Sequence, residues 1–298
     1  MYAQGYRRMI GKTALLLVNP NSRSGKVRLP EVRKLLAQAS IQFVELPVGY
    51  TGTTSHAIEE HGNSVQYVIV GGGDGSLNAA AKGLLNTGLP LGVLPLGTAN
   101  DFARTIGLPV DLTAAIDVIA KSNTTDIDLG DANGYLFFNV ASVGFSADLA
   151  MSLTEKAKKR WGKFGYGMVA ARLLARSGLF TATLEHDGRT EELRTLQVSV
   201  GNGRFYGGGM TVHEDATASD GLLDFYSLEV DHWWKLLALL PSLRRGTHGE
   251  WTDVRAFSTK ALTIRTSRPR AVNLDGELKT QTPVTFSIRE KAISVFVP

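Results

Sequence analysis

Short apolar runs alternate with segments of helical spacing in the first part of the chain. Ala14–Val18, Tyr67–Val70 and Leu91–Leu94 have the length and continuity of buried strands, whereas Pro30–Ala39 places its apolar residues at helical spacing. The same rhythm predicts a strand at Gln42–Val48 and helices at Ser55–His61, Gly75–Leu85, Asn100–Ile106 and Thr113–Ala120. This order is typical of an α/β domain with a mainly parallel sheet.

The pattern changes beyond Asp128, where β-branched and aromatic residues alternate with polar ones in many short runs. Such alternation predicts a largely antiparallel β-sandwich, interrupted by helices at Asp148 to about Ser177 and at Trp233–Leu243. The clearest strands are predicted at Tyr135–Val143, Phe180–His186, Leu193–Val200, Leu222–Val230, Lys260–Thr266 and Val284–Ile288.

Two domains without a low-complexity linker are therefore predicted, and the fold class is α/β plus β. Residues 1–128 form the α/β domain, to which a strand near 290–298 can return, and residues 129–289 form the β-sandwich. The active site is expected in the cleft between them.

The composition narrows the classes of protein that fit. Of 298 residues 43% are hydrophobic, and the absence of cysteine excludes a disulfide framework, a thiolate zinc site and a cysteine nucleophile. We expect a cytoplasmic protein, because no apolar stretch reaches about 18 residues and the start lacks a secretory signal. The net charge of +4 is compatible with a nucleotide, an anionic lipid or nucleic acid as partner.

The strongest chemical signal is Gly71–Asn78, a glycine turn between a buried strand and a helix. Glycine lets backbone N–H groups approach an anion, and a helix that begins near Ser76 points its positive end at the same place. It is not the Walker pattern, because Gly25-Lys26 is followed by Val27. The turn predicts a phosphate cradle; a simple chain reversal is the alternative.

A second turn of this kind lies at Leu94–Ala103. Thr98 or Asn100 can cap the following helix, and the same group can hydrogen-bond a phosphate or a ribose hydroxyl. Capping alone is the alternative. Because the carboxyl ends of neighbouring parallel strands form one crevice, the two turns together predict a polyphosphate site.

Five segments in order resemble the signatures of the diacylglycerol kinase catalytic-domain family, and are most similar to its bacterial soluble lipid kinases, which also resemble sphingosine kinases. The likeness extends from about Thr13 to Val295. The segments are Gly71–Asn78, Leu94–Ala103, Gly201–Arg204 with Gly207–Met210, Asp220–Asp224 and Asn273–Glu277.

The resemblance implies a kinase that uses ATP and Mg²⁺ to phosphorylate a hydroxyl of a diacylglycerol-like lipid, with ATP on the first domain. Similar proteins often carry a glutamate where this chain has Ala79, so only a backbone contact is expected there. The implied nucleotide-binding residues are Asn19, Thr51, Gly72, Gly73, Asp74, Gly75, Ser76, Leu77, Asn78, Ala79, Thr98, Asn100 and Asp101.

The resemblance also assigns catalytic and metal-binding residues. Asp275 matches the family's general base, a role that suits an ionised aspartate, and Glu277 is its predicted catalytic neighbour. Two such close carboxylates need magnesium or a basic group beside them; an exposed β-turn is the alternative. A structural magnesium is implied on the Asp220 carboxylate and the carbonyls of Thr217 and Leu222, and hard oxygen ligands suit this ion.

A lipid substrate implies peripheral contact at the inner membrane face. Lys156, Lys158, Lys159, Arg160 and Lys163 around Trp161 form one candidate surface, and His232–Leu237 forms another. Helices packed on their own domain are the alternative. No nucleic-acid-binding motif accompanies the basic residues, so no nucleic acid partner is expected.

Two other functions remain open. NAD kinases and other small-molecule kinases share the glycine-glycine-aspartate-glycine loop, but the Leu94–Ala103 and Asp220–Asp224 segments favour a lipid kinase. A non-catalytic lipid or nucleotide sensor is the other alternative, and Ala79 is its one hint. The sequence identifies neither the lipid nor the oligomeric state.

Overall fold

The computed structural model describes residues 12–18, 23–152, 178–230 and 233–298. The chain divides into two compact units, one of Met1–Leu129 with Glu290–Pro298 and the other of Gly130–Arg289. The predictions on Asn19, on the basic segment around Trp161 and on His232 lie outside the described residues.

The first unit is an α/β fold on a parallel sheet. Its strands are β1 (Thr13–Val18), β2 (Gln42–Glu45), β3 (Tyr67–Gly72), β4 (Leu91–Pro95), most of β5 (Thr124–Ala132) and the end of β18 (Val284–Phe296). Its helices are α1 (Arg23–Gln38), α2 (Thr54–His61), α3 (Asp74–Thr87), α4 (Asp101–Thr105) and α5 (Leu112–Lys121). The order is β2-β1-β3-β4, and the end of β18 then pairs with β4 in parallel. Every residue of β3 and β4 is buried, as in parallel strands covered on both faces.

The second unit is an antiparallel β-sandwich. Its elements are β6 (Tyr135–Phe137), β7 (Val140–Gly144), α6 (Phe145–Ser152), β8 (Phe180–His186), β9 (Arg189–Thr195), β10 (Gln197–Gly201), β11 (Phe205–Tyr206), β12 (Met210–Thr211), β13 (Leu223–Leu228), α7 (Trp233–Arg245), a 3₁₀ turn (His248–Glu250), β14 (Val254–Thr259), β15 (Ala261–Thr266), β16 (Ala271–Leu274), β17 (Glu277–Gln281) and the start of β18.

One sheet of the sandwich has the order β14-β13-β10-β7-β16-β17, and the other runs from the start of β18 through β15 and β8 to β9. Val143, Phe225 and Leu274 from the first sheet share a buried core with Leu262 and Phe286 from the second. The predicted fold class is therefore confirmed.

Several predicted strands have other bounds. Tyr135–Val143 was expected as one strand but is broken after Phe137, and Leu193–Val200 belongs partly to β9 and partly to β10. Neither break contains a glycine or proline, so the sequence lacks the usual signal for the end of a strand. Strand β17 gives no alternating signal because Glu277, Leu278 and Lys279 are all exposed.

Helix α7 packs on the outer face of the first of these sheets, the one that runs from β14 through β13 and β10 to β17. Leu239 and Leu243 of this helix pack in a buried cluster with Tyr226 and Leu228. His248 is also buried and meets the Tyr226 ring edge-on, with ring centroids 4.6 Å apart. Burial lowers the pKa of His248 to about 4, and the nearby His213 charge acts in the same direction.

We expect acid to weaken the fold through His248. Its folded pKa of about 4 lies below the ordinary value of 6.5, so between these values the unfolded chain binds the proton and the folded protein does not. This contribution is complete above the unfolded value and is lost as the pH falls toward 4, by about 2 kcal/mol between about pH 8 and about pH 5. Urea unfolding across this range measures it.

His248→Gln removes this titration, so the variant should lose less free energy of unfolding than the wild type over the same range. His56→Gln, at an exposed position of α2, is the control and should keep the wild-type slope. Equal pH slopes for the wild type and the His248 variant would contradict the assignment.

Candidate active site

The two glycine turns of the first unit lie side by side. Strands β3 and β4 pair in parallel up to Gly72 and Pro95, as the sequence predicts. The amides of Leu96 and Gly97 both donate to the Gly72 carbonyl, at 3.0 and 3.1 Å. A Cβ added to Gly97 would lie 2.4 Å from the Gly73 Cα, so the two backbones meet where a side chain does not fit.

Asp74 joins the two turns through its carboxylate. Its Oδ1 accepts from the Phe102 amide at 3.0 Å, and its Oδ2 accepts from the Asp101 amide at 3.3 Å. These amides open helix α4, where a negative charge is favoured by the helix dipole. The carboxylate of the first turn therefore caps the helix that follows the second.

Thr98 or Asn100 was expected to cap the following helix, and for Asn100 this expectation is wrong. Asn100 occupies the N-cap position in a left-handed conformation, with φ 52°, and makes no side-chain cap hydrogen bond. Its side chain turns back instead, because Oδ1 accepts from the Gly97 amide at 2.9 Å and Nδ2 donates to the Gly97 carbonyl at 3.0 Å. Asn100 therefore shapes the turn, and Asp74 provides the cap.

Helix α3 begins at the first turn without a capping side chain. Its N-cap is Gly73, and the amide of Ser76 donates to the Gly73 carbonyl at 2.9 Å. An uncapped helix start beside a glycine turn is favourable for an anion. Leu77 and Asp101 are buried, Gly75 and Asn78 are half-buried, and Thr51, Ala79 and Thr98 are exposed. The carbonyl of Ala79 accepts from the Ser55 hydroxyl at 2.8 Å.

In the second unit, Asp275 lies in the tight turn between β16 and β17. Asp275 and Gly276 have φ values of 49° and 95°, and the flanking Leu274 and Glu277 are paired. Two positive φ values in a two-residue hairpin loop favour the Asp-Gly sequence. The β-turn that was the alternative to a catalytic role is therefore present in the backbone. It does not decide what the Asp275 side chain does.

The Asp275 carboxylate accepts three backbone amides from the connection between β6 and β7. Oδ2 accepts from Phe138 at 2.7 Å, and Oδ1 accepts from Asn139 and Val140, each at 3.0 Å. Such donors stabilise a negative charge. They also explain why the predicted strand breaks here, since these amides turn toward a carboxylate.

Asn202 donates hydrogen bonds to two carbonyl groups of the same connection. Its side-chain Nδ2 donates to the Phe138 carbonyl at 2.9 Å, and its amide donates to the Asn139 carbonyl at 2.8 Å. Asn202 is 2% exposed. The sequence placed it in the Gly201–Arg204 signature without a role, and the geometry makes it a support of the Asp275 loop.

Glu277 is exposed at the start of β17, and its carboxylate lies 2.6 Å from the Lys279 ammonium. A basic group thus lies close to the Asp275-Gly276-Glu277 turn, which is one of the two alternatives, magnesium or a basic group, expected beside its carboxylates. The catalytic role of Glu277 stays a prediction.

The predicted magnesium ligands lie in one turn of the second unit. The Asp220 carboxylate accepts from the Thr217 hydroxyl at 3.1 Å and from the Leu222 amide at 3.0 Å. Burial raises the pKa of nearby Asp224; the Ser258 hydroxyl opposes this and the Asp220 charge adds to it. A cation would relieve that repulsion, so the donor chemistry fits magnesium. Among the described residues no three His, Asp or Glu side chains form a metal cluster, so the candidate depends on main-chain carbonyls.

Comparison with protein families accounts for nearly the whole chain. Residues 13–132 match the diacylglycerol kinase catalytic domain, and residues 139–297 match the YegS C-terminal NAD kinase beta sandwich-like domain. The boundary between the two matches lies near the boundary between the two compact units.

Relatives are similar over most of their lengths. A diacylglycerol kinase of Mycobacterium tuberculosis is 36% identical over 78% of this chain and 76% of its own. One from Staphylococcus aureus is 28% identical over 96% of this chain and 93% of its own. The solved structure of a proposed diacylglycerol kinase from Bacillus anthracis is 26% identical, covers 96% of this chain and 95% of that one, and superposes with a TM-score of 0.81.

Asn202→Ala should destabilise the second unit. It leaves the buried Phe138 carbonyl without the Asn202 side-chain donor, at a cost of about 1–3 kcal/mol in the free energy of unfolding. Urea denaturation measures the loss. Asn86→Ala, the same truncation at an exposed position, is the matched control. A loss no larger than that of the control would remove Asn202 from the support of the Asp275 loop.

Proposed function

This chain belongs to the diacylglycerol kinase-like lipid kinase family, and we propose that it transfers the γ-phosphoryl group of ATP to a hydroxyl of a diacylglycerol-like lipid. The proposal is supported most directly by the two glycine turns that Asp74 joins. They bring backbone amides of neighbouring strand ends and an uncapped helix start to one place.

Phosphoryl transfer needs alignment and charge stabilisation more than covalent work by the protein. In the proposed reaction the amides at the uncapped start of α3, next to Gly73, hold the phosphates of ATP. Asp74 acts in this scheme by keeping the turns in register, because its oxygens already accept two amides of α4. Thr51 and Thr98, both exposed, remain proposed nucleotide contacts.

Asp275 is the proposed general base for the lipid hydroxyl. Its three amide donors hold the carboxylate in one direction and favour its charged form, the form that can accept a proton from the hydroxyl. Mg²⁺, when bound, would neutralise phosphate charge during transfer. Asp220 with the carbonyls of Thr217 and Leu222 is the proposed structural magnesium site.

The lipid acceptor implies work at a membrane surface. None of the described helices is long and apolar enough to cross a bilayer. Because the proposed acceptor is a lipid, we propose a peripheral contact with the inner membrane face; no nucleic acid partner is part of the proposal.

Gly97→Ala should weaken ATP binding. The new Cβ would lie 2.4 Å from the Gly73 Cα and 3.0 Å from the Gly73 amide nitrogen, so the turns must separate. Overpacking of this kind costs about 1–3 kcal/mol, which corresponds to about tenfold or more in the dissociation constant. Titration calorimetry with ATP measures the change.

Gly178→Ala is the matched control, because an added Cβ there meets no described atom within 4 Å. Its ATP affinity should equal that of the wild type. Wild-type affinity in Gly97→Ala would show that the phosphates do not depend on the contact between the two turns.

Asp275→Asn should lower turnover about 10²–10⁴-fold, the usual contribution of a general base. The dissociation constant for ATP should stay nearly constant, because the proposed phosphate-binding turns belong to the other unit. Asparagine is tolerated at positive φ, so the turn itself should persist. Transfer of radiolabel from ATP into the organic phase of a mixed lipid extract measures turnover.

Asp187→Asn controls for the chemical change in the same backbone setting. Asp187 and Gly188 form the β8–β9 turn with φ values of 45° and 73°, and the Asp187 side chain is exposed. This variant should keep full turnover. Comparable turnover in Asp275→Asn would discredit the base assignment, and label transferred to NAD rather than to lipid would replace the proposed acceptor.

A further inference from the structure

One side of helix α7 is exposed. The described side chains on this side are all apolar or basic. Trp234 and Leu240 are 52% and 42% exposed, high values for such large apolar groups. The segment 233–245 contains no acidic residue. We call this surface the α7 face; it consists of Trp234, Ala238, Leu240, Pro241, Arg244 and Arg245.

The buried apolar contacts of α7 come from the side opposite the α7 face. Leu239 and Leu243 anchor the opposite side of the helix in the buried cluster with Tyr226. The polar residues on that side are also engaged. Lys235 lies 3.0 Å from a carboxylate oxygen of Asp253, and the Ser242 hydroxyl accepts from the Trp251 indole. The α7 face is thus the exposed side of a helix whose opposite side is anchored in the core.

We propose that the α7 face docks the second unit on an anionic bilayer surface. Trp234 and Leu240 would enter the boundary between headgroups and acyl chains, where an amphipathic indole ring is favoured. Arg244 and Arg245, exposed in the last turn, would meet anionic headgroups. This inference rests on the proposed function for its reason to visit a bilayer, and it names the surface that does so.

The charge of the α7 face favours a bilayer over a second copy of the chain. In a two-fold dimer the same patch meets itself, so the arginines of both copies would gather. No acidic residue of α7 is present to pair with them. An anionic lipid surface supplies those charges in any orientation.

Vesicle co-sedimentation tests the proposal with the full chain. Wild type should bind vesicles of phosphatidylcholine and phosphatidylglycerol in equal amounts, and bind phosphatidylcholine alone much less. Because each basic residue near an anionic surface contributes about fivefold to partitioning, Arg244→Glu with Arg245→Glu should reduce binding by about tenfold or more. Trp234→Ala with Leu240→Ala should reduce binding to both kinds of vesicle.

The matched control combines Tyr135→Ala with Arg194→Glu, which remove an exposed apolar group and an exposed cation elsewhere on the same unit. It should bind like the wild type. Trp234→Phe adds a position-specific readout: vesicle binding should persist, while quenching of tryptophan fluorescence by brominated lipid should drop. Unchanged quenching, or vesicle binding unaffected by the α7 variants, would overturn the proposal.

Two further measurements separate this inference from the proposed function. The α7 variants should still phosphorylate a short-chain diacylglycerol dissolved below its aggregation limit, and fail on the same lipid in vesicles. If the wild type phosphorylated diacylglycerol neither in solution nor in vesicles but still bound vesicles through α7, the kinase proposal would be refuted and the docking proposal would stand. Light scattering that shows a dimer dissolved by Trp234→Ala would instead assign the α7 face to a second copy.

Discussion

A carboxylate that accepts backbone amides from another segment holds each candidate loop in place. Asp74 does this for the start of α4, and Asp275 does it for the connection between β6 and β7. An ionised aspartate has only hydrogen-bond acceptors, and they lie on a short side chain with little freedom. It can therefore accept from several N–H groups where a strand or helix leaves them without a backbone acceptor. Without it, those amides would each cost about 1–3 kcal/mol where they are buried.

This constraint explains why glycine rather than a small side chain lines the first site. Once Asp74 ties the turns together, the backbones at Gly73 and Gly97 approach to a distance that leaves no room for a Cβ. The surface presented to a ligand is then backbone amide and helix start, the groups that suit an anion. The second site uses the same interaction in a different arrangement: three amides of the connection between β6 and β7 face inward to the Asp275 carboxylate.

The sequence predicts the centre of the first unit well because β3 and β4 are apolar on both faces and end in glycine turns. It predicts the second unit less completely, since an exposed edge strand such as β17 has no alternation and the break after Phe137 contains no glycine or proline. The glycine turns and Asp275 could be identified as site candidates because each lies in a short sequence motif. The hydrogen bonds of Asp74 and Asn202 could not, because their partners lie far along the chain and no local pattern encodes them.

Asp275 lies at the end of a strand in the same sheet on which α7 packs. The position of the α7 face therefore determines the position of the Asp275 loop. Asp275 follows β16, which pairs with β7, and the ladder continues through β10 to β13, where Tyr226 packs under the helix. A hydrogen-bonded sheet between two packed layers deforms little, because its ladder and its dense core resist shear. Docking through α7 would therefore fix the distance and tilt of the Asp275 loop relative to the bilayer. The proposed base Asp275 must meet a hydroxyl at the depth of the lipid headgroups, and its two-residue turn is too short to reach for it without that constraint.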